Sequence, residues 1–513
     1  MKKLVNSNQM KKIDSYSIET IGIPSLVLME NAANQVVTTM QKNITKEDII
    51  LVICGSGNNG GDGLAIARIL LNLGYQVDVF FAGKEASMTE ETQKQMTIIE
   101  NLDMVIWNAI DEINFANYTI LVDALVGIGL TEKLTDAYKQ IVEKMNHHEG
   151  SIYAVDMPTG ISADDGKIMG IAVKADYTIT FGHHKIGQVL FPGSDYCGKL
   201  IVSDIGFPPV AMDSIHSKYY SYDKKDLEKL PKRKAYSNKG TFGRVLVIAG
   251  SENMSGAAYL SAKAAFRTGA GFVEILTTES NRSIIQTQIP EAVLTTYNPE
   301  QLNEEKEKIK KSVQQADTVV IGPGIGVSKE SHQLLDLVTL YVEPPVVYDA
   351  DAINLISEYY NTFPLLRNNT CSRLNEFSNT LPPYSIITPH LKELARLMDK
   401  DVRELQDNLL DTADRCANDS KLIYAIKDAR TIVTHKDDRY INHSGNSGMA
   451  TAGTGDVLTG IIAGLLAQGL EPFEAAKMAV YIHGLAGDYA ASQKNEYSLI
   501  ATDIIEALGE VMK

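Results

Sequence analysis

The chain has 513 residues, of which 44% are hydrophobic and 22% are charged, and its formal net charge is −16. A single hydrophobic core does not extend over that length, so we expect two large domains, each with its own core. The acidic balance argues against a nucleic-acid surface, which needs Lys and Arg opposite the phosphates, but it leaves room for small anions bound by backbone N–H groups.

No stretch of the sequence approaches the apolar length that crosses a membrane, and the basic start lacks the apolar run of a signal peptide. We therefore expect a cytoplasmic protein without membrane partners. Paired α/β domains of this size often assemble, so we also expect a homo-oligomer. Four cysteines are scattered singly, and we expect free buried thiols instead of zinc or redox sites. They are Cys54, Cys197, Cys371 and Cys416.

Short apolar runs alternate with helical patterns in the first half of the chain. A strand at 49–53 is followed by a helix at 64–73 and a second strand at 77–81. This rhythm is typical of βαβ units with a parallel sheet. Further strands are predicted at 119–122, 152–155 and 176–181. The first half is thus predicted to contain one sheet.

A glycine-rich loop, Gly55 to Gly60, lies between the first strand and its helix. It satisfies the G-x-G-x-x-G pattern of a Rossmann-like three-layer α/β/α domain, with Asp78 near the place of the ribose-binding acid. A dehydrogenase is the obvious interpretation. Against it, the loop continues to Asp62, and Asp123 and Asp156 follow other predicted strands. Carboxylates and amides that converge on this edge indicate a cation site or a proton-transfer site.

Three stretches stand out in this half: Asn58 to Arg68, Asp123 to Leu130 and Val155 to Gly160. They resemble the NAD(P)H-hydrate epimerase family, and the resemblance covers about residues 1 to 210. The resemblance implies that Asp156 is the acid/base and that Lys185 assists it. It implies a K⁺ site with the oxygen ligands that suit a hard cation, from Asn59, Asp123 and Thr159. The residues implied to hold the hydrate are Asn58, Asn59, Gly60, Gly61, Asp62, Gly127, Ile128, Gly129, Leu130, Thr131, Glu132, Lys133 and Asp156.

This half departs mildly from that family. Ile128 stands where threonine is typical, and Thr159 stands where serine is usual, so the hydroxyl at 159 is kept. Taken singly, Asp123 and Asp156 could instead cap helices and Thr159 could form a turn. A non-enzymatic alternative is that the first half only binds a nucleotide and serves as an interaction module.

The second half begins after an irregular stretch. Residues 207–240 hold prolines, lysines and tyrosines without clear periodicity, which indicates a connection between domains. We expect domains at 1–215 and 216–513. A second α/β domain follows from the strands predicted at 244–248, 272–276, 318–321, 346–348 and 385–387. The polar segment 357–383 is predicted to be a surface excursion without chemistry.

A second glycine-rich stretch, His443 to Asp456, follows a predicted hairpin between 431 and 442. Apolar residues from Val457 to Leu466 recur with helical spacing, and Gly469 stands where a helix would end. The glycines therefore meet a helix N-terminus, where N–H groups and the helix dipole favour an anion. A carboxylate would repel a static phosphate, so Asp456 is better explained as a base for an attacking hydroxyl. The alternative is that Asp456 only caps the helix.

Ala452-Gly453-Thr454-Gly455-Asp456 resembles the anion hole and base of the ribokinase-like fold. The longer stretch Gly448 to Gly469 resembles one branch of it, the ADP- or ATP-dependent NAD(P)H-hydrate dehydratases. Other stretches between 235 and 513 agree with that branch, among them Gly322 to Gly326, Asp349 to Ala352, Thr388 to His390 and His483 to Asp488. The resemblance implies a ribokinase-like α/β/α domain that binds Mg²⁺ with ADP or ATP.

The same resemblance implies two groups of site residues. The hydrate pocket would be lined by Ala257, Gly324, Gly326, His390 and Asp456. The nucleotide would be held by Lys427, Asp428, Ala429, Arg430, Thr431, Asn446, Gly453, Thr454 and Gly455. Asp428 departs from the family, which usually has glycine there. A carboxylate beside phosphates is unfavourable unless it points outward or meets Mg²⁺.

Together these resemblances predict a bifunctional repair enzyme for the hydrates NADHX and NADPHX. One domain would interconvert the two epimers of the hydrate. The other would dehydrate one epimer back to NAD(P)H while ADP or ATP becomes AMP or ADP plus phosphate. The alternative is a small-molecule kinase for a vitamin or sugar, since the ribokinase-like fold uses the same loop, with an N-terminal nucleotide-binding module.

Overall fold

The computed structural model describes residues 1–361, 374, 378–418 and 421–513. They form two compact units, Lys2–Tyr219 and Tyr220–Lys513, the second also including Met1. Most of the polar segment 357–383, with Cys371, lies outside the described residues. Cys54, Cys197 and Cys416 are buried, as predicted. In the part of the chain that is described, no helix is long and apolar enough to cross a membrane. The homo-oligomer and the cytoplasmic location stay predictions.

The first unit is built around a seven-stranded sheet. The strands of this unit are β1 (Lys2–Val5), β2 (Ile49–Cys54), β3 (Gln76–Phe81), β4 (Ile106–Trp107), β5 (Ile120–Ala124), β6 (Ser151–Val155), β7 (Tyr177–Phe181), β8 (His184–Lys185) and β9 (Lys199–Ser203). The sheet has the order β4-β3-β2-β5-β6-β7-β9 and is parallel throughout. The predicted parallel sheet is therefore confirmed. β1 pairs in parallel with β8.

The helices of the first unit cover both faces of this sheet. They are α1 (Ser7–Ser15), α2 (Ser25–Met40), α3 (Asn58–Asn72), α4 (Glu90–Asn101), α5 (Asp136–Asn146), α6 (Ile186–Val189), α7 (Gly193–Tyr196) and α8 (Pro209–Asp213). Alternate residues of β2 enter different cores: Ile50 and Val52 pack with α2 and α3, and Leu51 and Ile53 pack with α5. This period of two, with a helix layer on each side, gives the three-layer domain that was predicted.

Helix α3 begins earlier than predicted, at Asn58 and not at Leu64. The second part of the glycine-rich loop therefore forms the first turns of the helix. Glycines permit this start close to the sheet, because a Cβ at Gly60 would lie 1.8 Å from Gly55 O and one at Gly63 would lie 2.5 Å from the Cβ of Ala124.

The second unit contains another, mostly parallel sheet. After β10 (Tyr219–Ser221), its strands are β11 (Arg244–Ile248), β12 (Phe272–Thr278), β13 (Val293–Tyr297), β14 (Thr318–Ile321), β15 (Val346–Tyr348), β16 (Ile386–Ile387), β17 (Ile423–Ile426), β18 (Ile432–His435) and β19 (Asp438–Ile441). The parallel part has the order β13-β12-β11-β14-β15-β16-β17, and β18 and β19 continue it as an antiparallel hairpin. The five predicted strands and the hairpin are confirmed, while β13 and β17 were missed.

The helices of the second unit are α9 (Ser255–Thr268), α10 (Arg282–Gln288), α11 (Leu302–Gln314), α12 (Lys329–Tyr341), α13 (Asp351–Asn361), α14 (Leu391–Met398), α15 (Val402–Asp407), α16 (Leu409–Asn418), α17 (Thr454–Ala467), α18 (Pro472–Gln493) and α19 (Ala501–Val511). The helix predicted after the second glycine-rich stretch is α17. It begins three residues before Val457, and Gly469 follows its end with φ +87°.

Helix α17 packs against α9 through two of its glycines. A Cβ at Gly460 would lie 2.1 Å from the carbonyl oxygen of Ser261, and one at Gly464 would lie 2.9 Å from that of Ala265. The two helix backbones therefore approach each other more closely than any side chain would allow. Because the second glycine-rich loop leads directly into α17, this contact also sets the position of the loop.

The substitution Gly460→Ala tests this contact. The added methyl group has to displace backbone, so we expect a loss of about 1–3 kcal/mol in the free energy of unfolding. The measurement is the urea midpoint of the second unit, followed by circular dichroism. The matched control is Gly509→Ala in α19, where a Cβ would meet nothing within 4 Å and helix propensity predicts a gain of about 0.5–1 kcal/mol. Equal midpoints for the two variants would contradict the close packing.

Candidate active sites

The first unit has a cavity of about 560 Å³ at the carboxyl ends of β2, β5 and β6. Eight of the residues predicted from the sequence line it: Asn58, Asn59, Asp62, Gly127, Ile128, Gly129, Asp156 and Lys185. Gly60 and Gly61 are buried in the first turn of α3. The structure does not bring Leu130, Thr131, Glu132 and Lys133 to the cavity wall, which ends at Gly129 on this segment.

Asp156 and Lys185 form a buried ion pair in the wall of this cavity. Lys185 Nζ donates to Asp156 Oδ1 at 2.5 Å, to Thr180 Oγ1 at 2.7 Å and to the carbonyl oxygen of Phe181 at 3.1 Å. All three donors of the ammonium are thereby used and its position is fixed. Asp156 stands directly after β6 with φ +64°, a conformation that is uncommon for residues other than glycine. It is held by an ion pair and does not cap a helix.

Besides Asp156, the carboxyl groups of Asp14, Asp62 and Glu91 line the cavity. Burial, and next the negative charge of Asp156, hold the pKa of Asp62 well above its ordinary value. Burial and then Asp156 also raise the pKa of Asp14 to about 6, although Lys185 lowers it. Asp14 was not found from the sequence, because it lies on the polar helix α1, away from any glycine-rich loop or strand end. The lining has four carboxyl groups and two ammonium groups, those of Lys11 and Lys185, and this excess of acids favours a site in which at least one acid keeps its proton.

Asp123 and Thr159 form the centre of the predicted cation site. Thr159 donates its hydroxyl to Asp123 Oδ1 and its backbone N–H to Oδ2, both at 2.7 Å. The N–H of Val126 donates to the Thr159 hydroxyl at 3.0 Å. Asn59 lies against Gly127, the residue after Val126, since a Cβ at Gly127 would be 3.0 Å from Asn59 Oδ1. The structure therefore places the three predicted ligands around one segment, and Asp123 caps no helix.

The charge of Asp123 has no basic side chain beside it among the residues that the structure describes. Burial raises its pKa to about 6, against the lowering effect of the hydrogen bonds from Thr159 and Leu125. A monovalent cation coordinated by amide, hydroxyl and carboxylate oxygens would supply the missing positive charge. Within the described ranges there is no group of three or more His, Cys, Asp or Glu side chains arranged for a metal. Amide, hydroxyl and carboxylate oxygens are ligands that suit a hard cation.

In the second unit, side chains at the carboxyl ends of three neighbouring strands meet. Asp349 follows β15, Thr388 follows β16 and Lys427 follows β17. Lys427 Nζ and the Thr388 hydroxyl each donate to Asp349 Oδ1 at 2.7 Å, and the Thr459 hydroxyl of α17 donates to Oδ2 at 2.8 Å. Burial lowers the pKa of Lys427, but Asp349 and Glu393 outweigh it and the pKa is raised overall. Lys427 is therefore a firmly charged cation.

Asp456 lies in the first turn of α17, beside this ion pair. The N-cap of the helix is Gly453, with φ +89°, and no side chain caps this fully described helix. A Cβ at Gly455 would lie 3.5 Å from Lys427 Nζ and 3.9 Å from Asp349 Oδ2, so the ion pair adjoins the loop. Burial and then Asp349 raise the pKa of Asp456 to about 7, while Lys427 lowers it. Asp456 thus does not cap α17, and it can change its charge near neutral pH.

Of the other residues predicted for the hydrate pocket, Ala257 lies in the first turn of α9, Gly324 and Gly326 follow β14, and His390 follows β16. Gly324 has φ +65°, and a Cβ there would be 3.1 Å from the Cβ of Ala257. The N–H of Gly326 donates to Asp351 Oδ2 at 2.8 Å. His390 caps α14, because its Nδ1 accepts from the N–H of Glu393 at 3.1 Å. Burial lowers the pKa of His390, which keeps the ring neutral at neutral pH.

The residues predicted for the nucleotide fall into two groups. Asp428, Ala429, Arg430 and Thr431 connect β17 to β18. Asp428 is half-buried, and burial raises its pKa. In the loop before α17, Thr454 donates its hydroxyl to Thr451 O at 3.0 Å. Asn446 donates to Asp488 Oδ1 at 3.0 Å and accepts from the N–H of Gly448 at 3.1 Å, so its amide shapes the loop.

The stretch His483 to Asp488, which the sequence singled out without a role, supports this loop from α18. Asp488 Oδ2 accepts from the N–H of Gly445 at 2.9 Å. His483 is hydrogen-bonded to the backbone of Thr454, and burial lowers the pKa of the His483 ring to about 4. A strand-end position marks Asp349 in the sequence, but no local pattern distinguishes the role of His483.

Two protein families match this chain. The family described as NAD(P)H-hydrate dehydratase matches residues 245–510, and the one described as YjeF-related protein N-terminus matches residues 25–187. A bifunctional NAD(P)H-hydrate repair enzyme of Thermofilum pendens is 32% identical over 100% of this chain and 96% of its own length. The enzyme of that description from Escherichia coli is 33% identical over 90% of this chain and 84% of its own length.

Among solved structures, a ribokinase-like superfamily protein from Enterococcus faecalis V583 resembles the chain. Its identity is 32%, the match covers 58% of this chain and 96% of that one, and the TM-score is 0.50. The expected ribokinase-like fold is thus confirmed.

Proposed function

The chain belongs to the family of bifunctional NAD(P)H-hydrate repair enzymes, which join an epimerase to a dehydratase, and we propose how its residues carry out the two reactions. The relatives match both halves of the chain, and this disfavours a vitamin or sugar kinase, since such a kinase would use only the second half. We assign dehydration to the unit Tyr220–Lys513 and epimerisation to the unit Lys2–Tyr219.

One observation carries the dehydratase proposal: Asp456, with a pKa of about 7, adjoins both an anion-binding loop and the Lys427–Asp349 ion pair. Asp456 takes the proton of the hydrate hydroxyl, whose oxygen attacks the terminal phosphoryl group of the nucleotide. The new carbon–oxygen–phosphorus link then breaks at the carbon, and phosphate leaves. Loss of a proton from the neighbouring ring carbon restores the dihydronicotinamide. The nucleotide is released one phosphate shorter.

The N–H groups at the start of α17 and the Lys427 ammonium stabilise the negative charge on the transferred phosphoryl group. Mg²⁺ would neutralise phosphate charge, and it would be held mainly by the phosphates, because Mg²⁺ commonly binds through substrate oxygens and few carboxylates. Asp428 fits this arrangement, since a half-buried acid with a raised pKa repels phosphate less. Assays with ADP and ATP supplied separately identify the preferred nucleotide.

In the first unit, we assign proton transfer to Asp156. Inverting a carbon that bears a hydroxyl group and a ring nitrogen requires one of those bonds to break and re-form, with a proton moving at the departing atom. Lys185 holds Asp156 in place for this transfer. Asp62, whose pKa burial holds well above its ordinary value, can donate a proton in the same cavity. K⁺ held by Asn59, Asp123 and Thr159 would fix the Val126–Gly129 segment of the cavity wall.

The substitutions Asp456→Asn and Asp156→Asn separate the two reactions in the full chain. Asp456→Asn removes the base, so we expect nucleotide-dependent recovery of NADH absorbance from the hydrate to fall by about 10²–10⁴. Exchange of the two hydrate epimers, followed by chromatography, persists in this variant. Asp156→Asn has the opposite effect, and each variant is the control for the other. Undiminished NADH recovery in Asp456→Asn would exclude this residue as the base.

We expect the rate of dehydration to rise with pH until Asp456 is deprotonated. Burial raises the pKa of Asp456 to about 7, and only the deprotonated form accepts a proton. We therefore expect kcat to fall about tenfold for each pH unit below about 7 and to level off above it. The measurement is kcat with saturating hydrate and nucleotide from pH 5.5 to pH 8.5. A flat profile through pH 7 would contradict the assignment.

K⁺ is expected to stabilise the first unit. A cation that binds only the folded form adds about 2.7 kcal/mol when its concentration is 100 times its dissociation constant. Thermal melting in KCl is compared with melting in choline chloride at the same ionic strength. The wild-type Tm should be higher in KCl, and Asp123→Asn should lose this difference. A KCl effect that survives in Asp123→Asn would place the cation elsewhere.

A further inference from the structure

The second unit has another cavity, of about 930 Å³, at the carboxyl ends of β12 and β13. Its wall combines four segments: Ser251 and Glu252 after β11, residues 278–282 from the last residue of β12 onward, residues 296–300 from the end of β13 onward, and residues 325–331 after β14. Glu305 and Lys308 of α11 complete it. None of these segments contributes to the phosphoryl-transfer chemistry assigned above.

The strand order places this cavity next to the reacting centre. The parallel strands run β13-β12-β11-β14-β15-β16-β17, so their carboxyl ends follow one another in that order. Asp349, His390 and Lys427 lie at the ends of β15, β16 and β17, and Gly324 lies after β14. The cavity occupies the other side, from β14 to β13, and shares Gly326 with the predicted hydrate pocket. It therefore continues that pocket away from the nucleotide loop.

We propose that this cavity binds the adenosine half of the hydrated dinucleotide and selects NADHX over NADPHX. The inference rests on the dehydratase function proposed above. Only the nicotinamide ring of the hydrate reacts, so the remote half of the molecule needs its own binding surface beside the reacting centre. The cavity is the adjoining space, and its size is within the usual range for a small-molecule site.

The selection follows from the charges around the cavity. Among its described lining residues, five are glutamates and two are cations: Glu252, Glu279, Glu300, Glu305, Glu330, Arg282 and Lys308. Both cations are already paired. Arg282 donates from Nε to Glu279 Oε1 at 2.6 Å and from Nη2 to Oε2 at 2.8 Å, and Lys308 forms an ion pair with Glu305. The wall therefore carries a net negative charge.

NADPHX differs from NADHX by a phosphate on the adenosine 2′-oxygen. A carboxylate can accept a hydrogen bond from the free 2′-hydroxyl of NADHX, whereas an available arginine is needed for the 2′-phosphate of NADPHX. The charge of Arg282 is already balanced, because Glu279 engages its guanidinium at Nε and Nη2. Glu279 is thus the residue that sets the preference, through Arg282.

The test measures kcat and KM of the full chain for NADHX and NADPHX at saturating nucleotide. We expect kcat/KM of the wild type to be about tenfold higher for NADHX, which corresponds to one close like-charge contact in a partly solvated site. Glu279→Gln frees Arg282 and should reduce this preference about tenfold, mainly by lowering KM for NADPHX.

Glu300→Gln leaves the Arg282–Glu279 pair intact and should reduce the preference for NADHX by a smaller factor. It is the second test variant if Glu279→Gln does not fold. The matched control is Glu404→Gln, because Glu404 forms an exposed ion pair with Lys400 on another surface of the unit. Equal kcat/KM for the two hydrates in the wild type would overturn the inference, as would an unchanged preference in both cavity variants. Dehydration of neither hydrate would overturn the proposed function itself.

Discussion

The buried carboxylate of Asp349 is the contact on which the second site depends. It accepts hydrogen bonds from Thr388, Lys427 and Thr459, and thereby ties the ends of three neighbouring strands, β15, β16 and β17, to α17. Removing one partner of a buried ion pair leaves an uncompensated charge, which typically costs about 3–5 kcal/mol. The same carboxylate raises the pKa of Asp456. One group thus positions the cation of the site and tunes its base.

The first unit uses buried carboxylates in a different way. Asp156 is neutralised by Lys185, whereas Asp123 has only a hydroxyl and amides as donors among the described residues. The first carboxylate is therefore balanced within the protein, and the second requires an external cation. Asp14 and Asp62 add two acids whose pKa values are raised by burial and then by the charge of Asp156. The cavity combines a fixed charge with groups that can carry protons.

Glycines make both arrangements possible by allowing backbone to approach backbone. In α3, Gly60 brings the first turn of the helix against Gly55, and in α17, Gly460 brings the helix against Ser261. In each unit the contact places a helix N-terminus at the carboxyl edge of a parallel sheet. Because that edge is where strand ends converge, the strand order also decides which surfaces adjoin the reacting centre.

The sequence by itself determined the two α/β domains and the parallel sheets, because strand periodicity and glycine-rich loops are local patterns. It also placed Asp123, Asp156 and Asp456 correctly at strand ends or a helix start. Only the tertiary structure decided that Asp14 lines the first cavity and that Leu130 to Lys133 do not. It also decided that Glu279 forms an ion pair with Arg282. These features depend on contacts between segments that are distant in the chain, and on burial that shifts pKa values. Local sequence patterns predict neither.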